Sequence, residues 1–349
     1  YAKEEQRPLV FMFPGQGTQY VEMGMDLYRH EPGFREAMDR CFEILKPLLS
    51  FDIKEVLYPS GRSAQFGPSD PSDQSYQSDA SYRSDLSDTS DIDRTEVAQP
   101  LLFILEYALA RLLMAWGVEP YAMIGHSIGE YTAAHLAGVF TLEEALALVV
   151  KRGRSMQRMP PGAMLSVPLS EEQVESYITP DLSLAAVNAP GQCTVSGPKE
   201  AVAALENRLK EKGYESRYLH TSHAFHSSMM DPVLGEYYQA AAGVRYREPK
   251  IPYISNLTGQ WITTRQARDP QYWTSHLRQT VRFSQGVSQL LKKENVLFLE
   301  VGPGMVLSTL VSKHTYRPAG PKTLNLLRHP NEKVSDRDYL EEKIGEMWL

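Results

Sequence analysis

Tyr121-Ala122-Met123-Ile124-Gly125-His126-Ser127-Ile128-Gly129 joins a short apolar run to a serine flanked by glycines. The run Tyr121 to Ile124 has the pattern of a buried strand. The five residues after it have the G-x-S-x-G form of a nucleophile elbow, a crowded strand-to-helix turn that holds the serine at the edge of a sheet. Helical patterning follows at once, over 129–138 and 142–158. Upstream, Leu9-Val10-Phe11-Met12-Phe13 is a second apolar run that ends at Pro14-Gly15, and residues 98–116 read as a long apolar helix. Strands alternating with helices in this way predict a parallel sheet covered on both faces, an α/β fold.

The rhythm changes after Pro160-Pro161-Gly162. Strands are predicted at 163–167, 182–187, 192–196 and 214–219, with helices at 170–178 and 198–212. The order β-α-β-β-α-β is that of a ferredoxin-like module. The expected organisation is an α/β body over 8–160 and 223–320, a ferredoxin-like lobe inserted at 161–222, and an appended linker with a terminal helix at 321–349. The body regains a strand at Val296–Val301, which ends in Gly302-Pro303-Gly304.

A length of 349 residues suits two lobes, and 42 % apolar with 23 % charged residues is an ordinary globular composition. The net charge of −7 is concentrated: residues 69–93 carry seven Asp and one Arg, so the rest of the chain is near neutral. That tract repeats Ser every third residue, matches neither helix nor strand, and reads as a flexible surface insertion. No basic stripe points to nucleic acid. No run of 18 apolar residues points to a membrane, and the polar start Tyr1 to Arg7 is not patterned as a signal peptide. Two cysteines, Cys41 and Cys193, exclude a disulfide framework and suggest a reducing, cytoplasmic setting.

In an elbow, the Ser127 hydroxyl is the nucleophile, and the backbone N–H of Ile128 faces the developing oxyanion. The turn at Phe13-Pro14-Gly15-Gln16-Gly17 could supply a second N–H. Its G-x-G is followed by Tyr20 where a dinucleotide site needs glycine, which argues against NAD. Serine requires a base, and His220, His223 and His226 cluster along the chain. Their spacing could suggest a metal, but no accompanying His/Glu motif supports one, and no metal is expected. No Asp or Glu is marked as a triad acid, so a backbone carbonyl could orient the histidine. Lys151-Arg152-Gly153-Arg154 fits either a solvated basic helix face or a clamp for a substrate carboxylate.

Together these segments resemble the malonyl-CoA:acyl-carrier-protein transacylase family, in particular the acyltransferase domains of modular polyketide synthases. The matching pieces run in order: Phe13 to Gly17, Gly125 to Tyr131, Arg152-Gly153, Asn188 to Gly191, His223 to Ser227, Tyr253 to Asn256 and Glu300 to Gly304. The resemblance implies an α/β-hydrolase-like body with an inserted ferredoxin-like lobe. It implies Ser127 as acylated nucleophile, His226 as base, Gln16 and Ile128 as oxyanion donors, and Arg152 as partner of the free carboxylate of a diacid. It also implies the backbone carbonyl of His276 as the group orienting His226. Relatives that take methylmalonyl units tend to carry Tyr-Ala-Ser-His where this chain has His223-Ala224-Phe225-His226, and Gln in place of Ile128. Phe225 therefore resembles the malonyl pattern.

The activity so implied is transfer of a malonyl unit from malonyl-CoA to the phosphopantetheine thiol of an acyl carrier protein. No metal or redox cofactor would reside in the domain. A ketosynthase and other modules would be its neighbours in a larger synthase from which the chain looks excised. The alternatives are the same transfer with a methylmalonyl or hydroxymalonyl unit, a serine thioesterase, and a non-catalytic docking domain.

Overall fold

The computed structural model describes residues 7–60, 91–314, 320–329 and 331–347. The triplet tract, apart from its end at Asp91–Asp93, lies outside the described residues. Among the described residues the strands are β1 (Leu9–Phe13), β2 (Ala122–Gly125), β3 (Ala163–Val167), β4 (Ser183–Ala189), β5 (Gln192–Gly197), β6 (Arg217–Tyr218), β7 (Tyr253–Ile254), β8 (Leu297–Glu300) and β9 (Lys322–Asn325).

β1, β2, β7, β8 and β9 form one sheet in the order β7-β2-β1-β8-β9, with every pairing parallel. The apolar runs predicted as strands are its centre, because both faces are covered. Val10 to Phe13 and Ala122 to Ile124 are fully buried. Parallel register brings the C-terminal ends of β1, β2 and β8 to one edge: Phe13 pairs with Gly125, and Met12 with Glu300. The turns at Pro14, His126 and Gly302 therefore meet there. Helix Thr95–Ala115 is long and apolar enough to cross a membrane, but 89 % of its most apolar window is buried in this fold. It packs against helix Leu142–Gln157 as the central helix of the body.

The second sheet has the order β4-β5-β3-β6 and is antiparallel throughout. β5 lies between β3 and β4, which are the strands joined by helix Glu171–Glu175. This is the split β-α-β arrangement of a ferredoxin-like lobe. The last strand is shorter than the predicted 214–219, because only Arg217 and Tyr218 pair with β3.

The segment 321–349 departs from its reading as an appended linker. β9 adds to β8 as the edge strand of the main sheet, and Leu326, Leu327 and Leu340 are buried in the body's core. Helix Asp336–Met347 packs on helix Met25–His30 near the start of the chain. The strand is not legible in the sequence because Lys322-Thr323-Leu324-Asn325 is a short, half-exposed edge strand with little apolar signal.

Candidate active site

A cleft of about 740 Å³ opens between the two sheets, with Ser127, His226, Arg152 and Gln16 on its wall. Ser127 sits at the elbow with φ of 51°, a left-handed conformation that few non-glycine residues adopt. The flanking glycines are required by contact. A Cβ on Gly125 would lie 2.1 Å from the backbone of Gly129 and Glu130, and one on Gly129 would lie 2.1 Å from the carbonyl oxygen of Phe13.

Asn256, just beyond β7, holds the strained turn. Its Oδ1 accepts from the Ser127 N–H at 2.7 Å and its Nδ2 donates to the Gly125 carbonyl at 2.8 Å. The Asn256 backbone N–H in turn donates to Oε2 of the buried Glu130 at 2.7 Å. The same carboxylate oxygen lies 3.2 Å from His276 Nε2, and Oε1 accepts from the Tyr272 hydroxyl. On the other side, His126 Nε2 lies 2.8 Å from Asn188 Oδ1 on β4, which ties the elbow to the small lobe.

Ser127 Oγ lies 2.8 Å from His226 Nε2. His226 Nδ1 lies 2.9 Å from the backbone carbonyl oxygen of Gln279. A carbonyl only accepts, so Nδ1 carries the proton and Nε2 is free to take one from the serine. Burial, then the nearby Arg152 charge, hold the His226 pKa well below the usual histidine value, while the Gln279 carbonyl opposes this. The ring is therefore neutral near pH 7, the form a base requires.

The orienting carbonyl belongs to Gln279, and the expectation for His276 is corrected. His276 is still inside helix Pro270–Arg278, where its ring faces Glu130. Gln279 is the first residue past that helix, extended at φ −87° and ψ 165°, and its carbonyl turns toward His226.

Arg152 is 1 % exposed and projects from helix Leu142–Gln157. Its Nη2 donates to Ser127 Oγ at 3.0 Å and its Nη1 to Gln99 Oε1 at 2.7 Å. Gln99 Nε2 donates to Thr95 Oγ1 at 2.7 Å, and Thr95 Oγ1 donates to Gln16 Oε1 at 2.6 Å. The guanidinium also lies over the Tyr131 ring, 5.7 Å from its centroid. Burial lowers the Arg152 pKa, and Tyr131 and Tyr237 oppose the shift.

Gln16 and Ile128 line the same cleft, and among the described residues no hydrogen bond engages the backbone N–H of either. Of the three residues before His226, Phe225 borders the cleft. His223 lies behind it, with Nε2 3.0 Å from the Met159 carbonyl oxygen, and Ala224 is buried against Gly162. The three clustered histidines do not converge. His220 is exposed, and no group of three His, Cys, Asp or Glu suited to a metal occurs among the described residues.

Sequence reasoning assigned no role to Gln99, Asn256, Glu130 or Gln279. Gln99 left a signal, a polar residue deep in an apolar helix. Gln279 acts through its backbone and left none.

A serine, a neutral histidine and a fixed cation around one oxygen suit acyl transfer of a substrate that carries an anion. The profile described as acyl transferase domain matches residues 10–336. A phenolphthiocerol/phthiocerol polyketide synthase polypeptide of Mycobacterium tuberculosis is 37 % identical over 340 residues, which cover 97 % of this chain and 21 % of that protein. The chain thus spans about a fifth of the length of that relative. The structure of the acyl transferase domain of ZmaA superimposes with a TM-score of 0.86 at 43 % identity, covering 99 % of this chain and 76 % of that one. The malonyl CoA-acyl carrier protein transacylase from Clostridium perfringens gives a TM-score of 0.79 at 25 % identity, covering 98 % and 97 %. This chain belongs to the acyl transferase domain family, among the acyltransferase domains of polyketide synthases.

Proposed function

We propose that the domain loads a malonyl unit from malonyl-CoA onto the phosphopantetheine thiol of an acyl carrier protein, through a malonyl ester of Ser127. The observation that carries this reading is the convergence on Ser127 Oγ of His226 Nε2 at 2.8 Å and Arg152 Nη2 at 3.0 Å. His226 takes the Oγ proton as Oγ attacks the thioester carbon. The N–H groups of Gln16 and Ile128 hold the tetrahedral oxyanion, a contribution of roughly 3 kcal/mol per donor in such sites. The C–S bond breaks, and His226 returns the proton to the departing CoA sulfur.

The carrier thiol then gives its proton to His226 and attacks the malonyl-serine ester; the C–Oγ bond breaks, and His226 returns the proton to Ser127 Oγ. Arg152 pairs with the malonyl carboxylate through both halves, which disfavours monocarboxylic acyl groups. This cycle needs no metal or redox cofactor in the domain. A ketosynthase and further domains of a longer synthase are its proposed neighbours.

Phe225 stands beside the base on the cleft wall and crowds a branch at C2 of the diacid. A contact of this kind discriminates against methylmalonyl by about 1–3 kcal/mol. Intact-protein mass spectrometry after brief exposure to malonyl-, methylmalonyl- and acetyl-CoA in competition tests the reading. A malonyl adduct absent from Ser127→Ala is expected. A dominant methylmalonyl adduct would overturn the Phe225 argument, and no adduct on the folded protein would overturn the transferase reading.

A further inference from the structure

The strap Gln279–Arg282 links helix Pro270–Arg278 to helix Phe283–Leu290 and runs along the outer edge of β4. Each of its residues has a different hold. The Gln279 carbonyl lies on His226 Nδ1. The Thr280 hydroxyl donates to the Leu184 carbonyl at 2.6 Å. The Val281 N–H donates to the Ala185 carbonyl, and its carbonyl accepts from the Val187 N–H, both at 2.9 Å, in a parallel bridge to β4. The Arg282 N–H donates to the Asn256 carbonyl at 2.8 Å, and its guanidinium pairs at 2.9 Å with Glu171 of the small lobe.

β4 thus meets both halves of the site. Asn188 at its end holds His126 of the elbow, while Leu184, Ala185 and Val187 hold the strap that aims at His226. Ala185 and Ala186 also form part of the cleft wall. The Gln279 N–H still closes on the Ser275 carbonyl of helix Pro270–Arg278 at 2.8 Å, but its carbonyl points out of the helix and shares its peptide plane with Thr280. The Thr280 hydroxyl and the Val281 backbone, one and two residues later, fasten the far side of that peptide to β4.

We infer that the small lobe helps to position the base: clamped on β4, Thr280 and Val281 are positioning residues that aim the Gln279 carbonyl at His226. The inference rests on His226 being the base. Loss of the aim leaves the histidine free to turn or to take the other tautomer, which removes base catalysis while leaving the cleft intact.

Thr280→Val keeps the shape and removes the hydroxyl, and Thr280→Ser keeps the hydroxyl. Two reactions are measured. One is acylation by malonyl-CoA across pH. The other is sulfonylation by phenylmethanesulfonyl fluoride, in which Ser127 Oγ bonds to sulfur, fluoride leaves and His226 takes the proton. For Thr280→Val, kcat and the sulfonylation rate are expected to fall about fivefold to tenfold, with KM within about twofold. The acid limb moves to lower pH, because the Gln279 carbonyl is what raises the His226 pKa. Thr280→Ser restores both rates.

Unchanged rates in Thr280→Val, or a change confined to KM, would overturn the inference. Should Thr280→Val fail to fold, Glu171→Ala, which frees Arg282 at the surface, gives the same split at smaller amplitude. Unchanged rates there would overturn it equally. A wild type that is sulfonylated at Ser127 but not acylated by malonyl-CoA removes the substrate assignment and leaves the strap testable.

Discussion

Arg152 Nη2 lies 3.0 Å from Ser127 Oγ, so the cation and the nucleophile already touch before any substrate arrives. The Gln99 contact at 2.7 Å fixes the opposite corner of the guanidinium. A diacid thioester bound here places its reacting carbon on Oγ and its free carboxylate one carbon further, within reach of the same guanidinium. On the proposed reading, this short gap between cation and nucleophile suits a malonate-sized spacing.

Arg152→Ala is therefore expected to lower the rate of Ser127 malonylation by about 10²-fold or more, since truncating one partner of a buried charge pair costs about 2–5 kcal/mol. Acetylation from acetyl-CoA, which offers no carboxylate, is expected to be spared. Rapid-quench mass spectrometry with both thioesters measures the two rates. Equal losses for both would show that Arg152 acts on the serine and not on the substrate.

Asn256 carries the strain of the elbow. With Ser127 at φ 51°, its N–H and the Gly125 carbonyl depend on this one side chain. Asn256→Ala leaves both groups buried and unpaired, a loss of roughly 2–4 kcal/mol. The expected result is a lower urea midpoint together with slower acylation, because the turn relaxes toward an ordinary backbone conformation. A variant of unchanged stability would show that the Gly125 and Gly129 contacts hold the turn unaided.

What could be read from sequence was local and repeated by pattern. Gly125 to Gly129 betrayed the elbow because crowding there leaves no alternative to glycine. β1, β2 and the ferredoxin-like order were legible from apolar runs and turn residues. Gln279 was not legible, since a backbone carbonyl has no residue type, and the neighbouring His276 drew the assignment instead. Asn256 reaches Ser127 from 129 residues away, and its own tie to Glu130 spans 126 residues, separations that no local pattern encodes. β9 was hidden for another reason. An edge strand half in water carries few apolar residues.

Glu300 ends β8 beneath the loop that carries Gly302, and its two oxygens accept from the Leu307 and Ser308 N–H groups at 2.9 and 2.8 Å. Burial pushes its pKa up to about 7, against the pull of those N–H donors. Glu106, also buried and raised well above the usual range, lies across Gly302. A group whose folded pKa exceeds its unfolded value binds more protons in the folded state. Its stabilising effect is complete below about pH 4.5 and is lost as pH rises through about 7. Glu300→Gln keeps an acceptor and cannot ionise. Wild-type stability relative to this variant should fall as pH rises from about 4.5 to about 7, by at most about 3 kcal/mol, and level off above. The Glu300 charge also raises the Glu106 pKa, so the difference between the two proteins reports the coupled pair of carboxyls. Urea unfolding of the pair at several pH values measures it, and parallel curves across that window would show that the Leu307 and Ser308 N–H groups hold Glu300 ionised.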